Sequence, residues 1–80
     1  MLLKTVCIND LKIEIRRTES VSQPLVGVVS DELQGGETMA IFYSMTGLLN
    51  YLEFERCPLP EIERVKLILI EIEPGLAEVL

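Results

Sequence analysis

The chain has 80 residues, which is enough for one small domain, and it contains no histidine. Without histidine, the Ser-His-Asp and Cys-His types of nucleophilic centre are excluded, and two cysteines are too few to close a structural zinc site. The 13 acidic and 7 basic residues give a net charge of −6, so the chain lacks the basic footprint on which nucleic-acid binding depends.

The apolar content is high for so short a chain. Hydrophobic residues make up 49% of it, and the mean hydropathy is +0.36. A small domain buries little surface by itself, so this excess predicts a homo-oligomer, most simply a dimer, or another protein partner. No apolar run approaches the roughly 20 residues of a membrane span, and no secretory signal is visible. Cys7, expected to be buried in a strand, and Cys57 predict reduced thiols and a cytoplasmic protein without a membrane partner.

Two strands are predicted at the start. Residues 2–8 are mostly apolar, and residues 11–17 alternate apolar and charged side chains, the period of a strand with one wet face. Asn9 and Asp10 tolerate the backbone of a tight turn, which favours a hairpin. One continuous bent strand over residues 2–17 is the alternative.

A second hairpin is predicted next. Residues 25–30 form a third strand, in which Gly27 marks either a bulge or the close approach of another element. Residues 31–37 form the turn around Gly35 and Gly36, and residues 38–43 form a fourth strand. Consecutive strands are usually neighbours, so these two should pair.

A helix is predicted over residues 44–56. Ser44 suits its N-cap, and Met45, Leu48 and Leu52 recur at helical spacing. Pro58 and Pro60 are expected to end it. A single long helix over residues 37–56 is the alternative, but it would contain strand-favouring residues and a central glycine.

The C-terminal part is predicted to be a strand and an apolar tail. Residues 65–72 (VKLILIEI) are rich in β-branched side chains and apolar on both faces, which favours a fifth strand, ending by residue 73, that is central or covered by another chain. Residues 74–80 form the tail. We expect a candidate partner surface here, made of Ile68, Ile70, Ile72, Leu76, Val79 and Leu80.

The predicted fold is a single α+β domain over residues 1–80, with a four- to five-stranded, mostly antiparallel sheet and one main helix packed on one face. Residues 1–57 supply the first four strands and the helix. The predicted core consists of Val6, Ile13, Ile15, Val26, Val28, Ile41, Leu48, Leu49, Leu52, Leu67 and Leu69.

Carboxylates are the one abundant reactive group. Asp31, Glu32 and Glu37 flank the glycine turn, but they lack the spacing of a calcium loop. The pair Gly35-Gly36 is followed by an acid, whereas a phosphate loop ends in Gly-Lys-Ser/Thr. We therefore predict no catalytic residue, no metal site and no cofactor.

Residues 11–55 resemble a pattern seen in short uncharacterised bacterial proteins. The pattern consists of a charged strand, a strand containing glycine, a turn ending Gly36-Glu37, an aromatic-containing strand, and Ser-x-x-x-Leu-Leu-x-x-Leu in a helix that begins at Ser44. The chain differs from it at Gly47, where a charged helix former is usual, and in the segment after Pro60. The resemblance implies the sheet-and-helix fold and no functional residue.

The predicted function is a non-catalytic interaction module, or a small subunit or adaptor, that acts as a homo-oligomer. One alternative is a carboxylate-based protein or enzyme that binds a small ligand or a metal. The other is an antitoxin-like inhibitor that mimics nucleic acid, because residues 37–80 carry three basic and eight acidic side chains.

Overall fold

The computed structural model describes residues 1–80 as a four-stranded antiparallel sheet with two α-helices, an α+β fold. In chain order the elements are β1 (Leu2–Ile8), β2 (Leu11–Arg17), β3 (Leu25–Asp31), β4 (Glu37–Phe42), α1 (Met45–Phe54) and α2 (Leu59–Ile72). Two short 3₁₀ helices, Glu32–Gln34 and Pro74–Glu78, follow β3 and α2. The predicted fold class is confirmed.

The sheet is a meander in the order β1-β2-β3-β4. Asn9 adopts a φ of 53° in the first turn, and Gly35 and Gly36 adopt φ values of 71° and 79° in the turn before β4. These left-handed conformations suit asparagine and glycine. Both predicted hairpins are confirmed, and the bent-strand alternative is wrong.

Each outer strand contains one residue more than its partner. The register shifts between Leu2 and Lys4 in β1, and between Val29 and Ser30 where β3 pairs with β4. The extra residues are therefore Leu3 in β1 and Met39 in β4. Bulges of this kind twist an edge away and disturb its row of free hydrogen-bonding groups.

Helix α1 begins where the sequence predicted. The Ser44 Oγ accepts a hydrogen bond from the Gly47 backbone N–H at 3.2 Å, so Ser44 is the N-cap. The helix packs over β3 at Gly27, where a Cβ would lie only 2.8 Å from the Leu48 Cδ2. The glycine marks a close approach, and the alternative of one long helix over residues 37–56 is wrong.

The strand predicted over residues 65–72 is wrong, because this segment belongs to α2. Pro60 lies in the first turn, where proline is tolerated, so the prolines begin this helix instead of only ending the previous one. Val65 and Leu69 are fully buried four residues apart, whereas Leu67 between them is 64% exposed. A helix separates neighbours in this way, while a strand would place all three on one face.

Both helices lie on one face of the sheet. The buried apolar strand residues all belong to one alternating set, which the cross-strand register places on that face. Arg17 of β2 points the same way and pairs with Glu73, just after α2, at 3.6 Å. The smallest Cα extent is 17 Å, which fits one helical layer stacked about 10 Å from one sheet.

The core is one cluster between the sheet and the helices. Its buried members are Val6, Ile8, Ile13, Ile15, Leu25, Val29, Met45, Leu48, Leu52, Cys57, Val65 and Leu69. Six predicted core residues are confirmed, and Leu49 packs against the cluster while half-buried.

Four residues predicted in the core are not buried there, and neither is the Cys7 thiol. Val26 and Val28 are only half-buried, because their neighbours Leu25, Gly27 and Val29 face the helices. Ile41 and Leu67 are exposed. Cys7, expected to be buried, is also exposed, and the buried thiol is Cys57.

Candidate interaction surface on the open face of the sheet

The sheet face opposite the helices carries no other element, and we call it the open face. Residues that pair across the strands form rows on it, spaced two residues apart. The rows are Leu2, Arg16 and Val26 (the Arg16 row); Thr5, Glu14, Val28 and Ile41 (the Glu14 row); and Cys7, Lys12, Ser30 and Thr38 (the Lys12 row). Beyond the Arg16 row, the Thr18 N–H donates to the Pro24 carbonyl at 2.8 Å, which extends the pairing of β2 and β3 by one more row.

The half of the open face formed by β3 and β4, which we call the apolar half, is apolar in the Arg16 row and the Glu14 row and carries Ser30 and Thr38 in the Lys12 row. Val26 and Val28 are half-buried there, and Ile41 is 55% exposed. An antiparallel sheet with one solvated face normally alternates apolar and polar side chains. β3 departs from that alternation, because it presents valines outward as well as apolar residues inward.

The half formed by β1 and β2 is polar and carries alternating charge. Lys12, Glu14 and Arg16 project from β2 on this face, and an Arg16 Nη lies 3.6 Å from a Glu14 carboxylate oxygen. These three side chains sum to +1, and Glu32, whose carboxylate lies 3.9 Å from the Lys12 ammonium, brings the local charge to zero. The remaining residues therefore carry the whole net charge of −6.

The predicted partner surface is divided between two environments. Ile68, Ile72, Leu76 and Leu80 are half-buried and pack against the core. Ile70 is half-buried, and Val79 is 68% exposed. On the predicted strand, Ile68, Ile70 and Ile72 would share one face, but on α2 residues two positions apart point in different directions.

The turn carboxylates do not assemble into a site. Asp31 caps the 3₁₀ helix by accepting the Leu33 N–H at 2.9 Å, and Glu32 lies 3.9 Å from the Lys12 ammonium. No aspartate or glutamate is buried, and no three carboxylates or thiols lie close enough together to hold a metal ion. These acids act locally, on turns and ion pairs.

One cavity, of about 220 Å³, combines acids with a thiol. It is lined by Asp10, Asp31, Glu55 and Cys57, together with apolar side chains. Burial, and secondarily Glu55, raises the pKa of the Cys57 thiol above its ordinary value. A raised pKa lowers the thiolate fraction, so this thiol is poorly suited to act as a nucleophile.

A larger groove, of about 240 Å³, lies beside the start of α1. Ser44, Thr46 and Glu73 supply its polar groups, while Leu76 and Val79 line it from the tail. All its polar side chains belong to residues in contact with solvent, and no buried polar atom is left without a partner in the structure. The groove therefore contains no buried polar side chain that needs a ligand as its hydrogen-bond partner.

On α2, Glu63, Leu67 and Glu71 form an outward row four residues apart. This is the helix row that an acidic, nucleic-acid-mimicking surface would use. Exposed Leu67 interrupts it, and Arg64 pairs with Glu61 at 2.6 Å on the same helix. The row therefore lacks the uninterrupted negative charge of a phosphate backbone.

The sequence contains one signal that points to the open face. The apolar, strand-favouring character of valine predicts Val26 and Val28 in the core, and Gly27 predicts either a bulge or a close approach. Only the packing of Leu48 onto Gly27 shows which side of β3 faces inward. A glycine flanked by valines in a strand is thus a signal that the valines point away from a covering helix.

Comparison of the chain with protein-family models, with curated proteins and with solved structures finds no match. None of the helices combines the length and the apolar character needed to cross a membrane.

Proposed function

We propose that this protein is a non-catalytic interaction module that acts as a homodimer in the cytoplasm, and that the open face of the sheet is its dimer interface. The observation that carries the proposal is the apolar half of that face, where Val26, Val28 and Ile41 meet solvent. Burying such side chains is favourable by roughly 25 cal/mol per Å² of apolar surface. A second copy is the occupant that supplies the same apolar surface in return.

Charge favours this face over the others for self-association. Two copies that each carry −6 repel one another, and the repulsion is smallest where the local charge is not negative. The open face has no net charge once Glu32 beside Lys12 is included, and the signs alternate along β2 from Lys12 to Glu14 to Arg16. Alternating signs let a surface complement its own copy, as a two-fold interface requires.

The sheet edges favour packing through the face over strand addition. β1 and β4 are the only edge strands, and each contains a bulge, at Leu3 and at Met39. Bulged edges are poor templates for another strand. Two copies joined edge to edge would also leave Val28 in contact with solvent.

The size of the face predicts a weak dimer. Four strands spaced about 4.8 Å apart, with four rows about 6.8 Å apart, span roughly 20 by 20 Å. Two copies would bury about 800–1,000 Å² in total, at the low end of specific interfaces. We therefore expect dissociation in the micromolar range.

Sedimentation equilibrium of the full chain between about 1 and 500 μM tests the proposal, and we expect a reversible monomer–dimer equilibrium. Ile41→Lys places a charge in the apolar half of the open face and should raise the dissociation constant at least about tenfold, since burying an unpaired charge is costly. Leu67→Lys is the matched control, because Leu67 is a similarly exposed apolar residue on the helical side. It should leave the equilibrium unchanged.

Both substitutions replace exposed side chains, so circular dichroism should show both variants to be folded. A wild-type chain that stays monomeric up to 500 μM would overturn the proposal. So would a dimer that Leu67→Lys dissociates and Ile41→Lys does not.

A further inference from the structure

We infer, on the basis of the dimer proposed above, that its two-fold axis lies in the plane between the two sheets and runs perpendicular to the strands. The axis passes between the Arg16 row and the Glu14 row. Arg16 of each copy then meets Glu14 of the other. Val26 of each copy likewise meets Val28 of the other. Each contact occurs twice, as two-fold symmetry requires.

The direction of the axis follows from the division of the face into two halves. An axis perpendicular to the strands places each strand over the same strand of the second copy, so the apolar half covers an apolar half and the charged half covers a charged half. An axis parallel to the strands could lie in two positions. At the centre of the face it would place the valines of one copy over the charged residues of the other, and within the apolar half it would bring only the two apolar halves into contact. Partial overlap buries less than the full face, which is already at the lower limit for a specific interface.

The position of the axis follows from charge. An axis through the Glu14 row places Glu14 against Glu14 and Arg16 against Lys12, so every charged contact is between like charges. Moving the axis by half a row toward Arg16 pairs Arg16 with Glu14 instead. It also pairs the Lys12 row with the uncharged Thr18–Pro24 pair, so all four rows are covered and no like charges meet.

An axis through the Arg16 row or the Lys12 row places that cation against its own copy, which leaves an axis between the Glu14 row and the Lys12 row as the alternative. It pairs Glu14 with Lys12, which is also attractive, but it places Val28 against Ser30 of the second copy. The axis next to the Arg16 row places Val28 against Val26. Apolar contact therefore decides between two registers that charge alone does not separate.

Charge reversal in the full chain distinguishes these registers. Glu14→Lys makes all three charged positions of β2 on the open face positive. We expect the dissociation constant to rise at least about tenfold, within the range of coupling measured for close interfacial charges. The double variant Glu14→Lys/Arg16→Glu restores an opposite-sign contact across the inferred axis. It should return the dissociation constant to within about threefold of wild type.

The matched control is Lys12→Glu/Glu14→Lys, which has the same net charge of −6 as the wild type and as the first double variant. Across the inferred axis it opposes Arg16 with a lysine, so it should remain as weak as Glu14→Lys alone.

Rescue by this variant in place of the other would show that the axis lies next to the Lys12 row. Rescue by neither, or no effect of Glu14→Lys, would overturn the inference while leaving an Ile41-dependent dimer intact. A monomeric wild type would overturn the dimer itself.

Discussion

Gly27 is the residue on which the packing of α1 against the sheet depends. Its absent side chain leaves the space that Leu48 occupies, and Leu48 is completely buried, so it has little room to move. The contact also orients β3, because it turns Leu25, Gly27 and Val29 toward the helices and sends Val26 and Val28 outward.

We expect Gly27→Ala to destabilise the protein by about 1–3 kcal/mol, the usual cost of forcing extra atoms into a packed core. Denaturant unfolding measures this change. Gly75→Ala is the control, since no atom lies within 4 Å of the added carbon, and it should change stability by no more than about 0.5 kcal/mol. Shortening the neighbour in Gly27→Ala/Leu48→Val should relieve part of the cost. Equal stability of the two alanine variants would contradict the close approach.

Residue type alone could not identify the inner side of β3. Valine favours strands and cores, so residue type alone ranks Val26 and Val28 above Gly27 as core candidates. Packing reversed that order, because the helix needed room and the glycine supplied it. By contrast, Ser44 was predictable, since a cap depends on one local hydrogen bond.

At the scale of elements, local signals were sufficient for the strands and α1 but insufficient for α2. The turns at Asn9 and at Gly35-Gly36 depend on backbone preferences that the sequence shows directly. The segment 65–72 has an isoleucine-rich composition that favours a strand. Its helical state depends on residues before it, because Ile62, Val65 and Leu69 form one apolar stripe only when the helix begins at Leu59.

Two alanine substitutions separate the helical from the strand arrangement of this segment. In a strand, Leu67 and Leu69 would face the same way and cost about the same to truncate. In α2, Leu69 is fully buried, and Leu69→Ala should cost about 2–5 kcal/mol. Leu67→Ala should cost no more than about 0.5 kcal/mol, because Leu67 is mostly exposed. Thermal or denaturant unfolding compares them, and similar losses in both variants would contradict the helix.

At the scale of the whole molecule, the two faces of the sheet differ in chemistry. One face is closed by two helices, and the other is open, nearly neutral and half apolar. The total apolar content of the sequence predicts self-association. It could not predict the surface, because that required knowing which side of β3 is covered and that α2 joins α1 on the same side.

The proposed dimer links stability to protein concentration. If only the folded chain dimerises, each tenfold rise in concentration above the dissociation constant should raise the Tm by about 4 °C for a dimer of this size. Differential scanning calorimetry at 20, 200 and 1,000 μM measures the shift. Ile41→Lys should reduce the shift by raising the dissociation constant toward these concentrations, whereas Leu67→Lys should retain it. A Tm that is independent of concentration in the wild type would exclude a dimer linked to folding.

The strand order β1-β2-β3-β4 has a further consequence, for the way in which the chain reaches its fold. Every strand pairs with the strand next to it in the sequence, and the turns between them are short. Closing such short loops costs little entropy, and chains whose contacts are local fold fast for their size. The sheet can therefore begin to pair during synthesis, before α2 has been made. The apolar face of the sheet that packs against the helices is then exposed only for a short time. Synthesis of residues 59–72 completes the helical layer and leaves the open face as the uncovered side of the sheet.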